Sequence, residues 1–493
     1  MTIADVALTF LRRSTFRSKA AVFALGAVMA VGLAACSDGE STSDSDVTNL
    51  SNNVFFTPCT DQTCQGEIDG SPFRIQMPRV WNGTLMVYSH EARGGAGQAP
   101  AEQTADALAV APDWTLGGKD VQASLLASGY ALAGAAATEG GWRVDQQLAA
   151  ADALYEQFKR NVAVPNRVYT WGPSNGALAS VNLAENRDWV NGSFGMCGTL
   201  AGLTRNYDVA LDAAFAVKQL LYPKMKLANY SSLAQATSNY KEAMKQVRKA
   251  AKDKFGEGAI KLAVIGPVGE VPPKTATLAG AGISGQAEAI AAGLKLVLAR
   301  STIDRFAVEQ EMGGNISSNV GTNYLARFTV AERDKIDEKE PGATAKYLNR
   351  IGKGKRVAPD GAARSKANDS PNLSGATRVP TVTLHTQFDP LAILQNEGSL
   401  VAAANEQGAE ARRLLAPNVV GPPPFYSGDD GAVAGAGHCS FTTESVFGSV
   451  TLLDEWVRQG MFPSQSRTTE LLGEGSGYIP DYPLLKWPAG PTG

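Results

Sequence analysis

The chain is short of the residues that hold metals. Its 493 residues include only three histidines and five cysteines. Structural and catalytic zinc sites draw three or four such ligands from a compact pattern. No cluster of that kind occurs, so no metal is expected, and the chain calls for no cofactor. Basic excess is lacking too. Lys+Arg number 45 against 48 Asp+Glu, a net charge of −3, so the positive surface that captures nucleic acid is absent. The one lysine-rich stretch (Lys241, Lys245, Lys249, Lys252, Lys254) is interleaved with apolar residues at helical spacing and reads as a solvated helix face. Beyond the N-terminus, no apolar run reaches the roughly 20 residues that a membrane span needs.

What is present begins with an address. Arg12, Arg13, Arg17 and Lys19 precede an uncharged apolar run, Ala20 to Ala35, too short for a comfortable span. It ends in Leu33-Ala34-Ala35-Cys36, which resembles a bacterial lipobox. That resemblance implies a signal peptide over 1–35, lipidation of Cys36, export, and a lipid anchor on the periplasmic or cell-surface face of a membrane. Residues 36–57 are rich in Ser, Asp and Asn and read as a disordered tether. Export brings an oxidising compartment, where the four other cysteines can pair. Cys59 and Cys64 lie close together in a loop-like segment that suits a local bridge, which leaves Cys197 and Cys439.

The rest of the chain is organised around Val168 to Ser180. Strand-forming residues end in Gly172-Pro173-Ser174-Asn175-Gly176, and an alanine-rich helical pattern follows. A nucleophilic serine must stand clear of a sheet on a tight turn, where side chains at the flanking positions would clash. The turn also sets the serine at a helix start, where free backbone N–H groups can stabilise an oxyanion. Strands are expected at Phe73 to Met77, Gly83 to Ser89, Tyr130 to Ala137 and Ser193 to Gly198. Helices are expected near Lys119 to Ser128 and over Val144 to Asn161. This alternation predicts a mostly parallel sheet covered by helices. From about Leu203 the rhythm becomes helical, and a strand returns at Arg378 to Thr386, with a helix from Leu391 and a further strand within Arg412 to Val420. A closing helix covers Glu444 to Gln459. The expected division is a first core part over 58–202, a helical cap over 203–376, and a second core part over 377–493.

A serine nucleophile needs a base, and the base an orienting acid. Among three histidines, His90 follows a strand, His385 lies inside one, and His438 sits on a glycine-rich loop before the last helix. His438 is the candidate base. Asp389, at a strand end before Pro390, is the candidate acid, ahead of Asp429 and Asp430. Trp142, after Gly140-Gly141, is a candidate pocket residue.

The chain order Ser174, Asp389, His438, together with Trp81 to His90, Gly172 to Gly176, Phe388-Asp389-Pro390 and Gly437-His438-Cys439, resembles the α/β-hydrolase esterases. The large insertion and the cysteine after the histidine are also similar to tannase and feruloyl esterase relatives. Those place a bridged cysteine before the nucleophile, where this chain has Pro173. The resemblance implies an α/β-hydrolase fold with a large, mainly helical lid. It implies oxyanion donors at the N–H of Asn175 and at Ala92, where Glu91 stands in place of the usual glycine. With Pro173 in place of the relatives' cysteine, a Cys197–Cys439 bridge, from the end of the next strand, is expected instead. The implied function is a membrane-anchored serine hydrolase acting on a small-molecule or polymer ester. A cap-domain serine peptidase (prolyl or tripeptidyl aminopeptidase-like) and a non-catalytic envelope binding module are the alternatives. Nothing in the sequence sets the oligomeric state.

Overall fold

The computed structural model describes residues 54–60, 62–91, 109–112, 120–135, 140–254, 256–273, 282–421, 425–428, 431–434, 437–439 and 441–488. The signal segment, Cys36, Ala92, Arg93, Asp429 and Asp430 lie outside them, as does the side chain of Cys59.

Short apolar runs assemble one nine-stranded sheet in the order β1-β2-β3-β5-β4-β6-β7-β8-β9. The strands are β1 (Val54–Thr60), β2 (Thr63–Ile68), β3 (Ser71–Gln76), β4 (Thr84–Tyr88), β5 (Ala131–Ala135), β6 (Arg167–Pro173), β7 (Gly192–Met196), β8 (Thr381–Thr386) and β9 (Leu415–Val420). β1, β2 and β3 pair antiparallel, and β3 meets β5 antiparallel. From β5 to β9 every pairing is parallel. From β2 onward, this order, with one reversed strand near the edge and a swap of the next two, is that of the α/β-hydrolase fold. The chain has that fold.

The central strands are apolar on both faces because helices cover both. Leu85 and Val87 of β4 face one layer, and Met86 and Tyr88 face the other. The first layer holds α2 (Val144–Asn161) and α3 (Asn175–Asn186), and the second holds α1 (Val121–Ala127) and, at the end of the chain, a helix over Thr443–Gln459. In α2 the residues Val144, Leu148, Ala151, Leu154 and Phe158 are buried at helical spacing.

Between β7 and β8 the described residues form helices alone. They are α4 (Leu203–Leu220), α5 (Leu233–Lys252), α6 (Glu257–Val268), α7 (Gly282–Ala299), α8 (Arg305–Met312), α9 (Val330–Lys339), α10 (Ala343–Gly352) and α11 (Gly361–Asn368). α4 is the stem. Leu203 and Tyr207 pack in the sheet-side core, while Leu211, Phe215 and Val217 enter the cap's own core. The α5 lysines point to solvent and its Ala243, Met244 and Val247 point inward. After β8 come α12 (Gln395–Gln407) and α13 (Ala409–Arg413), then α14 (Thr443–Gln459) and α15 (Gln465–Leu472). Among the described residues, no helix is long and apolar enough to cross a membrane.

Four local expectations are corrected. The tether does not run to Thr57, because Val54–Thr60 pairs with β2 as an edge strand. No helix starts at Leu391; it starts at Gln395, since Leu391 and Ala392 give their N–H groups to Asp389. Arg412 belongs to α13, so the last strand begins at Leu415. The segment before His438 carries a hairpin, β10 (Phe425–Gly428) with β11 (Gly431–Ala434), where only a loop was expected.

Cap and core meet at a buried charge network. The Arg327 guanidinium donates to Asp212 Oδ2 (2.7 Å) and to the Val268 carbonyl (2.6 Å). Its Nε lies 3.8 Å from Glu270, which accepts from Gln395 at the start of α12 at 2.8 Å. Burial pushes the Glu270 carboxyl up to about 7, against the pull of Arg327. A raised carboxyl pKa gives stability that is complete below the ordinary carboxylate range and is lost as pH rises through about 7. Glu270→Gln therefore raises the thermal midpoint at pH 8 by about 1–2 °C and reduces the loss of stability between pH 5 and 8. Thermal unfolding across that range checks it. A variant less stable than the wild type at pH 8 contradicts it.

Candidate active site

The turn at Ser174 is built by sterics. β6 ends at Pro173, α3 begins at Asn175, and Ser174 between them has φ 54° and ψ −117°. A side chain there prefers negative φ, so the surroundings must enforce the turn. A Cβ on Gly172 would lie 2.1 Å from the Ser89 carbonyl oxygen, and so would one on Gly176. Only glycine at both positions lets the chain leave β6 and start α3 this close to the end of β4. The Ser174 N–H donates to the Met196 carbonyl at 2.9 Å, which ties the turn to β7.

Asp389 follows β8 and is buried. Its Oδ1 accepts from the N–H groups of Leu391 (2.8 Å) and Ala392 (3.0 Å). Its Oδ2 accepts from His438 Nδ1 (2.8 Å) and the Cys439 N–H (3.3 Å). Burial alone would raise the carboxyl pKa. The charges and hydrogen bonds of His438, His385 and the Leu391 N–H outweigh it and hold the pKa below the usual range. Asp389 is thus a fixed carboxylate, and with Nδ1 engaged the remaining ring nitrogen of His438 is Nε2, which lies 3.4 Å from Cys439 Sγ. The ring is 16% exposed, while the Asp389 side chain is fully covered.

A disulfide brings the two halves together. Cys197 directly follows Met196, whose carbonyl holds Ser174; Cys439 directly follows His438. The two are bridged, with 5.2 Å between their Cα atoms and a separation of 242 positions in sequence. Both have positive φ, 42° and 57°, so each chain bends sharply at the bridge. Cys197, Cys439 and His438 place their donor atoms within 4.8 Å of one another. The sulfurs are bonded to each other and offer no thiolate, so the group does not make a metal cage. Cys64 is also in a disulfide.

Asn175 opens α3, so its N–H has no carbonyl one turn back to bond. Its side chain is pinned from both ends, donating to the Trp142 carbonyl (3.2 Å) and accepting from the Thr199 hydroxyl (3.0 Å). The other expected donor, Ala92, lies outside the described residues. Glu91 is half-buried beside it. His90 is buried and packs edge-on against Tyr88, with centroids 5.0 Å apart. Trp142, expected to line the pocket, is buried with its ring edge-on to Tyr207 (6.2 Å), and its contacts are those of a core residue behind the turn.

Sequence reading missed a supporting polar layer. Asn396 in α12 accepts from the Ala201 N–H (2.9 Å) and exchanges hydrogen bonds with Asn206 of α4 (3.1 and 3.2 Å). These contacts join residues about 190 apart in sequence, and no local pattern announces them.

No family model matches the chain, and no curated protein matches it. Similar solved structures include Candida antarctica lipase A in its closed state, 12% identical, covering 84% of each chain, with a TM-score of 0.37. Feruloyl esterase B from Aspergillus oryzae is 10% identical over 81% of each chain, with a TM-score of 0.35. The rice cell wall degrading esterase LipA from Xanthomonas oryzae is 14% identical, over 73% of this chain and 82% of its own, with a TM-score of 0.33. Likenesses this low carry no functional weight; the fold rests on the strand order and the site on its own geometry.

Proposed function

We propose that the protein is a serine hydrolase that cleaves carboxylic esters through an acyl-enzyme on Ser174. The observation that carries this reading is the 2.8 Å hydrogen bond from His438 Nδ1 to the buried Asp389, on a segment bridged to the residue after Ser174's own backbone acceptor. His438 Nε2 takes the Ser174 proton as Oγ attacks the ester carbonyl. Asp389 fixes the tautomer with Nδ1 protonated and stabilises the imidazolium that forms. The Asn175 N–H donates to the tetrahedral oxyanion, with a second donor from the segment after His90. Each such donor lowers the barrier by about 3 kcal/mol. His438 then protonates the departing alkoxide, and water repeats the sequence on the acyl-enzyme. The chain's N-terminus fits export and lipidation at Cys36, which puts the enzyme at the membrane face of the cell envelope. A Cys36→Ala chain that still partitions with membranes argues against the anchor.

A p-nitrophenyl ester series from acetate to palmitate, with the soluble domain lacking Cys36, tests the activity. Turnover with a defined chain-length optimum supports the esterase. Folded protein that hydrolyses aminoacyl anilides and no ester is a peptidase instead.

A further inference from the structure

Beneath the acid turn lies a second histidine that the hydrolytic mechanism does not use. His385, in β8, is wholly buried, and both ring nitrogens face acceptors. Nε2 meets the Ala392 carbonyl at 2.6 Å and Nδ1 meets Glu397 Oε1 at 3.2 Å. Glu397 is also wholly buried, and its Oε2 accepts from the Thr383 hydroxyl at 2.6 Å. A backbone carbonyl cannot donate, so Nε2 carries a proton. The contact between Nδ1 and Oε1 then needs a second proton between the two groups. Burial opposes a charged ring, but the hydrogen bond and charge of Glu397 outweigh it and raise the His385 pKa, which favours the imidazolium.

The link to Asp389 is a single residue. Ala392 gives its carbonyl to His385 and its N–H to Asp389 Oδ1. Leu391 is gripped in the same way: its N–H goes to Asp389 Oδ1, and its carbonyl accepts from the Arg300 guanidinium at 2.8 Å. Arg300 reaches it from a π-helical turn, Arg300–Asp304, between α7 and α8 of the cap. Both N–H groups on Asp389 Oδ1 therefore belong to residues whose carbonyls meet a basic side chain, Arg300 or His385.

We propose that the His385–Glu397 ion pair is a positioning device for the catalytic acid, locking the Asp389–Ala392 turn and setting the field in which Asp389 and His438 titrate. This rests on the reading of Ser174, His438 and Asp389 as a triad. The charged groups acting on His385 are Glu397 from α12 and Asp389 from the turn; those acting on Asp389 are His438 and His385. A buried ion pair is weak evidence of function by itself, because many such pairs are merely structural. The two roles differ in what they do to the pH profile. A structural pair affects how much protein folds. A positioning pair also moves the titration of His438.

Glu397→Gln keeps the shape and the hydrogen-bonding capacity and removes the charge, so His385 loses its added proton. The Glu397 charge goes as well, so the pair's net charge is unchanged, but of the two it is His385 that acts on Asp389, and without its positive charge the His438 imidazolium holds its proton more tightly. The acid limb of kcat/KM, which reports the free enzyme's base, moves up by about half a pH unit. His385→Gln moves it in the same direction. Active sites are counted with a fluorophosphonate so that folding losses drop out. Profiles that superimpose on the wild type overturn the proposal, whatever the variants' stability. Ring 15N spectra of the unmodified protein give an independent check, since the chain has three histidines to assign. One ring is doubly protonated at pH 8 and becomes neutral in Glu397→Gln; three neutral rings in the wild type overturn the proposal. Activity that survives Ser174→Ala instead refutes the triad reading itself, so the two failures are separable.

Discussion

Ser174→Ala lowers ester turnover by about 10⁴–10⁶-fold and leaves the fold intact. The size follows from the mechanism: without Oγ there is no acyl-enzyme, and only binding and oxyanion stabilisation remain. Stability is spared because the strained turn is held by backbone and glycines, not by the serine hydroxyl. The Ser174 N–H bond to Met196 and the close approach of Gly172 and Gly176 to Ser89 persist in the variant. His438→Ala costs a similar factor, and the double variant is little worse than either single one, because the groups act as a unit. Initial rates on one chromogenic ester, with circular dichroism on each variant, measure both parts. A Ser174→Ala enzyme retaining a tenth of wild-type turnover is incompatible with the mechanism.

Removing the Cys197–Cys439 bridge has the next largest effect, and it acts on stability and rate together. The bridge closes a loop of 242 residues, so its loss costs about 3–5 kcal/mol on the chain-entropy account. The rate effect is separate. His438 stands on a glycine-rich segment after a hairpin, and the bridge fastens the adjoining residue to the end of β7. Displacing a catalytic group by about 1 Å costs roughly 100-fold. Cys197→Ser/Cys439→Ser is therefore expected to melt well below the wild type and to turn over about 10–100-fold more slowly at a temperature where it is fully folded. Calorimetry and steady-state kinetics separate the two. A folded double variant at full activity shows that the bridge serves stability alone.

How much of this was legible in the sequence depends on distance along the chain. The Ser174 corner was legible because the residues that make the turn, Gly172 to Gly176, are contiguous, although the Ser89 and Met196 contacts that enforce it come from other strands. α2 was legible over its full length from helical spacing alone. The pairing of His438 with Asp389 could be reasoned from chain order and from the scarcity of histidines. The Val54 edge strand was missed because its apolar start, Val54-Phe55-Phe56, directly follows a polar run and was absorbed into the tether. The helix expected at Leu391 failed for a chemical reason: a carboxylate takes the N–H groups that would otherwise point along a helix. His385 was visible but looked like a strand residue, and no local pattern singles out Glu397. Only the packing of α12 against β8 makes them a pair. Arg300 depends on a π-helical turn, and no spacing rule predicts that a cap helix will set a guanidinium on the acid turn.

The most direct test of the central claim is covalent. A fluorophosphonate probe reacts with a serine only when a base and an oxyanion site activate it. The account predicts a stoichiometric adduct on the peptide containing Ser174, found by mass spectrometry, and no adduct in His438→Ala. Folded wild-type protein that takes up no probe, or carries it on another residue, contradicts the account.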